Sequence, residues 1–220
     1  MLVPWTVLFI GLIVAVKCDN ECTEEKLNIC LHILGNEDVE DPKLMFPKKE
    51  FLDKHCSPLQ EFFRCRINFY QRCPDVESDI DPSANQPMLD LVASICDENS
   101  EIRKGYLENV DCYDSSMMRV VVCGATIFAI VEDFEEHNEN RTEFQHPDIT
   151  PCIGLPLFVN CIVEEISEAC GNKETSPLAD ILHRLSDLLV QAACPTDLLP
   201  MWEEALVSYL EDENQMERKK

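Results

Sequence analysis

Thirteen cysteines and five histidines are the side chains here whose chemistry depends most on spacing. A thiolate can ligate zinc, attack a substrate or close a disulfide. Zinc knuckles need CxxC-type pairs; none occurs, and the gaps of seven residues or more between the cysteines that matter below are too long. Of the histidines, His32, His55 and His183 stand apart. His137 and His146 share an acidic stretch with Glu135, Glu136 and Glu143, a set that could hold a divalent cation. No i, i+4 pair fixes ligand geometry there, so the stretch is read as a solvated polar loop and no metal ligand is assigned. No serine sits in a G-x-S-x-G elbow, and no phosphate loop or dinucleotide fingerprint is present. The sequence thus gives no catalytic residue and no cofactor. A hydrolase with residues scattered over distant loops is the remaining enzymatic alternative.

The cysteines instead imply oxidation. Residues 1–18, MLVPWTVLFIGLIVAVKC, form an apolar run with no acid and one charge, Lys17, which reads as a secretory signal peptide. An anchor would need about 20 uninterrupted apolar residues, and this run stops at Lys17, so no membrane span is expected after its removal. Cleavage after Cys18 also leaves an even set of twelve: Cys22, Cys30, Cys56, Cys65, Cys73, Cys96, Cys112, Cys123, Cys152, Cys161, Cys170 and Cys194. An even count in a secreted chain predicts full pairing. The formal charge of −24 becomes one unit more negative when Lys17 leaves, which opposes binding to nucleic acid or an anionic membrane. Asn140-Arg141-Thr142 is the only N-x-[ST] sequon and lies in the polar loop, so N-glycosylation of Asn140 is expected.

The twelve cysteines fall into two sets of six in the same order. Their gaps are 7, 25, 8, 7 and 22 residues in the first half and 10, 28, 8, 8 and 23 in the second. This is an internal duplication. The predicted fold is all-α, a disulfide-rich helical protein built from two duplicated six-cysteine modules. Residues 19–108 form the first, residues 109–210 the second, and residues 211–220 a charged C-terminal tail. The modules could be two small domains or one duplicated domain with a shared core.

Helical spacing organises each module. ECTEEKLNICLHIL gives a short amphipathic helix closed by Gly35. Ser57-Pro58-Leu59-Gln60 resembles a cap with proline at the first helical position, predicting a helix from there to about Arg72 after a separate turn near residues 50–54. Residues 88–96 and 100–107 resume helical spacing, the second weakened by Gly105. SSMMRVVVCGATIFAIVEDF predicts a buried central helix. Met117, Met118, Val120, Val121, Val122, Ile127, Phe128 and Ile130 could line a ligand cavity on it, although plain core is the commoner use of such a helix. Cys152 to Cys170 predicts a helix ended by Gly171, and Thr175-Ser176-Pro177 opens the next, LADILHRLSDLLVQAAC, the clearest amphipathic helix. A last helix runs from Pro195-Thr196 to about Leu210.

On one continuous helix, cysteines nine residues apart are turned by about 900° and separated by about 13 Å along the axis. Disulfide-bonded Cα atoms lie within about 7 Å, so Cys152, Cys161 and Cys170 cannot pair with one another, and neither can Cys65 with Cys73. Each such helix must be tied to other elements on more than one side, as the central helix of its module. Six cysteines allow 15 pairings, which spacing does not decide between. Duplication predicts the same pairing in both halves.

The runs KHCSPLQEFFRCRINFYQRC, MLDLVASICDENSEIRKGYLENVDC, PCIGLPLFVNCIVEEISEAC and PLADILHRLSDLLVQAAC resemble the arthropod haemolymph glycoprotein family, over Cys22 to Cys194. The resemblance implies a secreted, helical, disulfide-rich, non-enzymatic protein of an extracellular fluid, with no catalytic residues to carry over. Similar proteins occur in gland and venom secretions, which makes a secretion component acting on a foreign target the alternative. Insect odorant-binding proteins are also six-cysteine helical carriers, but their C-x3-C is absent from these twelve cysteines. The expected partner is an apolar small molecule or an extracellular protein.

Overall fold

A computed structural model describes residues 22–35, 46–76, 81–146, 149–171 and 176–217, with side chains to residue 211 in the last stretch. The signal-peptide reading of residues 1–18 lies outside the described residues, as does the end of the expected tail. Among the described residues the chain is all-α, with eight helices and no strand. They are α1 (Glu24–His32), α2 (Lys49–Arg72), α3 (Asn85–Cys96), α4 (Glu101–Ser115), α5 (Met117–His137), α6 (Ile149–Cys170), α7 (Pro177–Ala193) and α8 (Leu199–Glu217).

Local chemistry starts and stops several of them. The Thr23, Ser100 and Ser176 hydroxyls accept N–H bonds from the first turns of α1, α4 and α7, where those donors have no partner within the helix. Pro177 follows the Ser176 cap, as the sequence predicts. Gly171 ends α6 with a φ of 69°, a conformation glycine adopts without a Cβ clash.

Three local expectations are corrected. α2 does not begin at Ser57; it starts at Lys49 and passes through Pro58 without a break. An interior proline costs about 3 kcal/mol. The segment before it is held elsewhere, by the Cys56–Cys96 disulfide and by an Arg103–Asp53 ion pair at 2.5 Å. α4 continues eight residues past Leu107, to Ser115, so residue 108 lies inside a helix. Gly105, in its interior, allows contact with the next layer: a Cβ there would sit 2.6 Å from Cγ of Pro177 on α7. Finally, α8 runs to Glu217, well past Leu210.

The six disulfides tie both halves in one pattern. Numbered within each half, the first cysteine bonds the fifth, the second the fourth and the third the sixth. The pairs are Cys22–Cys73, Cys30–Cys65 and Cys56–Cys96, then Cys112–Cys170, Cys123–Cys161 and Cys152–Cys194. No bridge crosses between the halves. As the helical geometry requires, no cysteine of α2 or α6 bonds within its own helix. α6 is tied to α4, to α5 and to the end of α7, and α2 to the chain before α1, to α1 and to α3. By length and apolar composition alone α6 could cross a bilayer, yet here it is a core helix with Cys152, Ile153, Val159, Ile162 and Ile166 buried.

Hydrophobic packing joins what the disulfides keep apart. The largest core cluster takes Leu52 and Cys56 from α2, Tyr106, Val110 and Tyr113 from α4, Val120 and Cys123 from α5, Ile162 and Ile166 from α6, and Leu178 from α7. Of the two arrangements open from sequence, the shared core is the one observed. A second cluster around Trp202 and Phe134 packs α8 against α5 and α6, and a small third one holds Phe69, Tyr70 and Cys73.

A candidate apolar pocket

The amphipathic stripe of α7 does not pack tightly along its whole length. Leu178, Ile181, Leu182 and Leu185 face α2, α3 and α4 across a pocket of about 360 Å³, with Phe158 and Ile162 of α6 closing another side. Residues of both halves therefore build it. Leu52, Tyr106, Ile162 and Leu178 are buried at its base, while Val92, Ile95, Phe158 and Leu182 are only half-buried, so the wall reaches the surface.

The wall is almost entirely carbon. The single hydroxyl among the lining residues belongs to Tyr106, 5% exposed, and its oxygen is buried with no hydrogen-bond partner among the described residues. Burial, reinforced by nearby Tyr113 and Asp114, pushes this phenol far above its ordinary pKa, so it stays neutral. A buried cation beside the wall is already used: Arg103, 3% exposed, donates to Asp53 Oδ1 at 2.5 Å and to the carbonyl of lining residue Ile95 at 3.2 Å. Hydrogen bonding from Lys49, with the Lys49 and Arg103 charges, holds the Asp53 carboxyl below its usual range. No charged side chain lines the pocket. An ion would lose its hydration there without compensation, so the site suits a neutral apolar molecule.

The helix expected to line a cavity, α5, does not line this pocket. None of the eight residues proposed on α5 reaches this pocket. Nor is α5 a buried central helix: Val120, Cys123, Val131 and Phe134 face the core, while Met118, Val121, Val122 and Phe128 point outward. The pocket escaped sequence reading because its residues run from Phe46 to Leu185 over five helices. The one available signal was the leucine periodicity of α7, which supplies four of them.

The acidic histidine stretch is engaged in other contacts among the described residues. His137 faces the Tyr209 ring at 5.5 Å and His146 the Trp202 ring at 5.6 Å. Glu135 accepts a hydrogen bond from the Thr150 hydroxyl, and Glu143 pairs with Arg141 at 3.0 Å. Its own backbone N–H and the Arg141 guanidinium hold Glu143 below the usual carboxylate range. No group of three or more potential ligands gathers among the described residues. Asn140 lies exposed in the turn after α5.

The disulfides, the all-α fold and the pocket define a disulfide-stapled helical protein with an apolar cavity between its two halves. In comparisons with protein-family models, curated proteins and solved structures, nothing matches this chain.

Proposed function

We propose that the protein is a secreted, non-enzymatic carrier of a neutral apolar small molecule in an extracellular fluid, of the haemolymph type its cysteine pattern resembles. The observation that carries this reading is the 360 Å³ carbon-walled pocket at the meeting of the two halves. Six disulfides suit an oxidising compartment and would hold the walls apart against collapse. An apolar cavity of about 150 Å³ admits benzene, so this one fits a ligand of roughly 12 to 15 non-hydrogen atoms. N-glycosylation at exposed Asn140 belongs to the same reading.

Uptake of the neutral fluorophore N,N-dimethyl-1-naphthylamine, which falls within that size range, tests it. The wild-type chain is expected to bind saturably at one site, with a Kd on the order of 1–10 µM. Val92→Trp places an indole in the half-buried wall and should weaken binding about tenfold or more, with its helical content unchanged. Absence of wild-type binding, or equal binding by Val92→Trp, overturns the proposal.

A further inference from the structure

The outer face of α5 is apolar and exposed over most of its length. Met118, Val121, Val122 and Phe128 are 72%, 55%, 59% and 62% exposed, with exposed Ala125 and Ala129 completing the stripe. Their spacing, i, i+3, i+4, i+7, i+10 and i+11, makes one straight row about 16 Å long. The opposite face of the same helix is buried in the core. A helix that is apolar all round is normally covered on both sides. A contiguous exposed apolar patch commonly marks an interaction surface.

What covers it is indicated by charge. Towards the C-terminus the same face continues into Glu132, Asp133 and Glu136. Asp133 accepts a hydrogen bond from the Tyr209 hydroxyl, but neither Glu132 nor Glu136 has an ion-pair partner among the described residues. Carboxylates in the last turns of a helix oppose its dipole and are mildly destabilising, so the stability of α5 gives them no purpose. Beside them a groove between α5 and α8 runs past Ala129, Ile130 and Leu210. The one cation on the outer side of α5, Arg119, is already paired with Glu165 at 2.6 Å. The surface is thus an apolar row running into uncompensated negative charge, on a chain whose net charge is −24. That charge repels a second copy as well as an anionic lipid surface.

We propose that the outer face of α5, from Met118 to Glu136, docks a cationic amphipathic helix. Its apolar side lies on Met118, Val122 and Phe128, and its lysines or arginines meet Glu132, Asp133 and Glu136. Anchors at helical spacing set the register, and the charges set orientation and rate of association. No α5 residue lines the apolar pocket, so this surface stands independently of the carrier reading.

The test is fluorescence anisotropy of the oxidised full-length mature chain with a labelled amphipathic peptide of leucine and lysine. Saturable binding that weakens as salt rises is expected. Val122→Ser with Phe128→Ser should weaken it about tenfold, as loss of central apolar anchors does. Glu132→Gln with Glu136→Gln should weaken it about threefold to tenfold and flatten its salt dependence. All four positions are exposed, so thermal unfolding of both variants should match wild type. A glutamate-for-lysine version of the peptide should not bind. Equal binding by the serine variant, binding of the acidic peptide, or sedimentation showing the face covered by a second copy would each overturn the proposal.

Discussion

Replacing Cys152 and Cys194 together by alanine is expected to destabilise the protein by about 4 kcal/mol, the chain-entropy value for a loop of this length. The bridge closes a sequence separation of 42 residues and fixes the start of α6 to the end of α7. Cys152 is 1% exposed, so the deleted sulfur also leaves a void in the cluster around Trp202. For a chain of this size each 1 kcal/mol shifts the melting midpoint by about 2–4 °C, giving a fall of roughly 8–16 °C by circular dichroism. The twin change, Cys56→Ala with Cys96→Ala, removes the equivalent third-to-sixth bridge over a separation of 40 residues. It should cost a similar amount, within about 1 kcal/mol of the first. A loss under about 1 kcal/mol in either variant would show that bridge to be dispensable and the paired architecture to be wrong.

Trp202→Ala should cost about 3–5 kcal/mol, the range for deleting a fully buried aromatic side chain. Trp202 is 0% exposed and packs with Val131, Phe134, Phe144, Ile149 and Leu206. Its indole Nε1–H also donates to the Glu143 carbonyl at 2.9 Å, so one side chain ties α8 both to the core and to the turn after α5. Trp202→Phe keeps much of the apolar area and loses that hydrogen bond, at an expected cost of about 1–2 kcal/mol. Urea unfolding followed by far-ultraviolet circular dichroism separates the two, because neither variant retains the tryptophan as a reporter. If Trp202→Ala were no worse than Trp202→Phe, α8 would not be packed as described.

The architecture was legible where a local rule was enough. Nine-residue spacing on a helix forbids Cys152, Cys161 and Cys170 from pairing with each other, and the fold obeys. The repeated gap pattern led to identical pairing in both halves. The Ser176-Pro177 cap and the Gly171 stop are read directly from residue type. Sequence failed where tertiary contacts outweigh local ones. Pro58 looks like a helix start, but the Cys56–Cys96 bridge and the Arg103–Asp53 pair carry α2 through it. Val121, Val122 and Phe128 look like core, and hydrophobicity alone cannot tell a covered face from an uncovered one. The pocket was illegible for a related reason. It is a volume left between two halves, and the sequence of either half gives only the apolar stripes that border it.

Native mass spectrometry of the protein purified without denaturation from its source fluid tests the carrier reading most directly. The expected spectrum shows a chain with its twelve paired cysteines oxidised and a glycan mass on Asn140 that glycosidase removes. It also shows one neutral, apolar organic molecule bound per chain, lost on denaturation. A spectrum containing only the ligand-free chain would contradict the account.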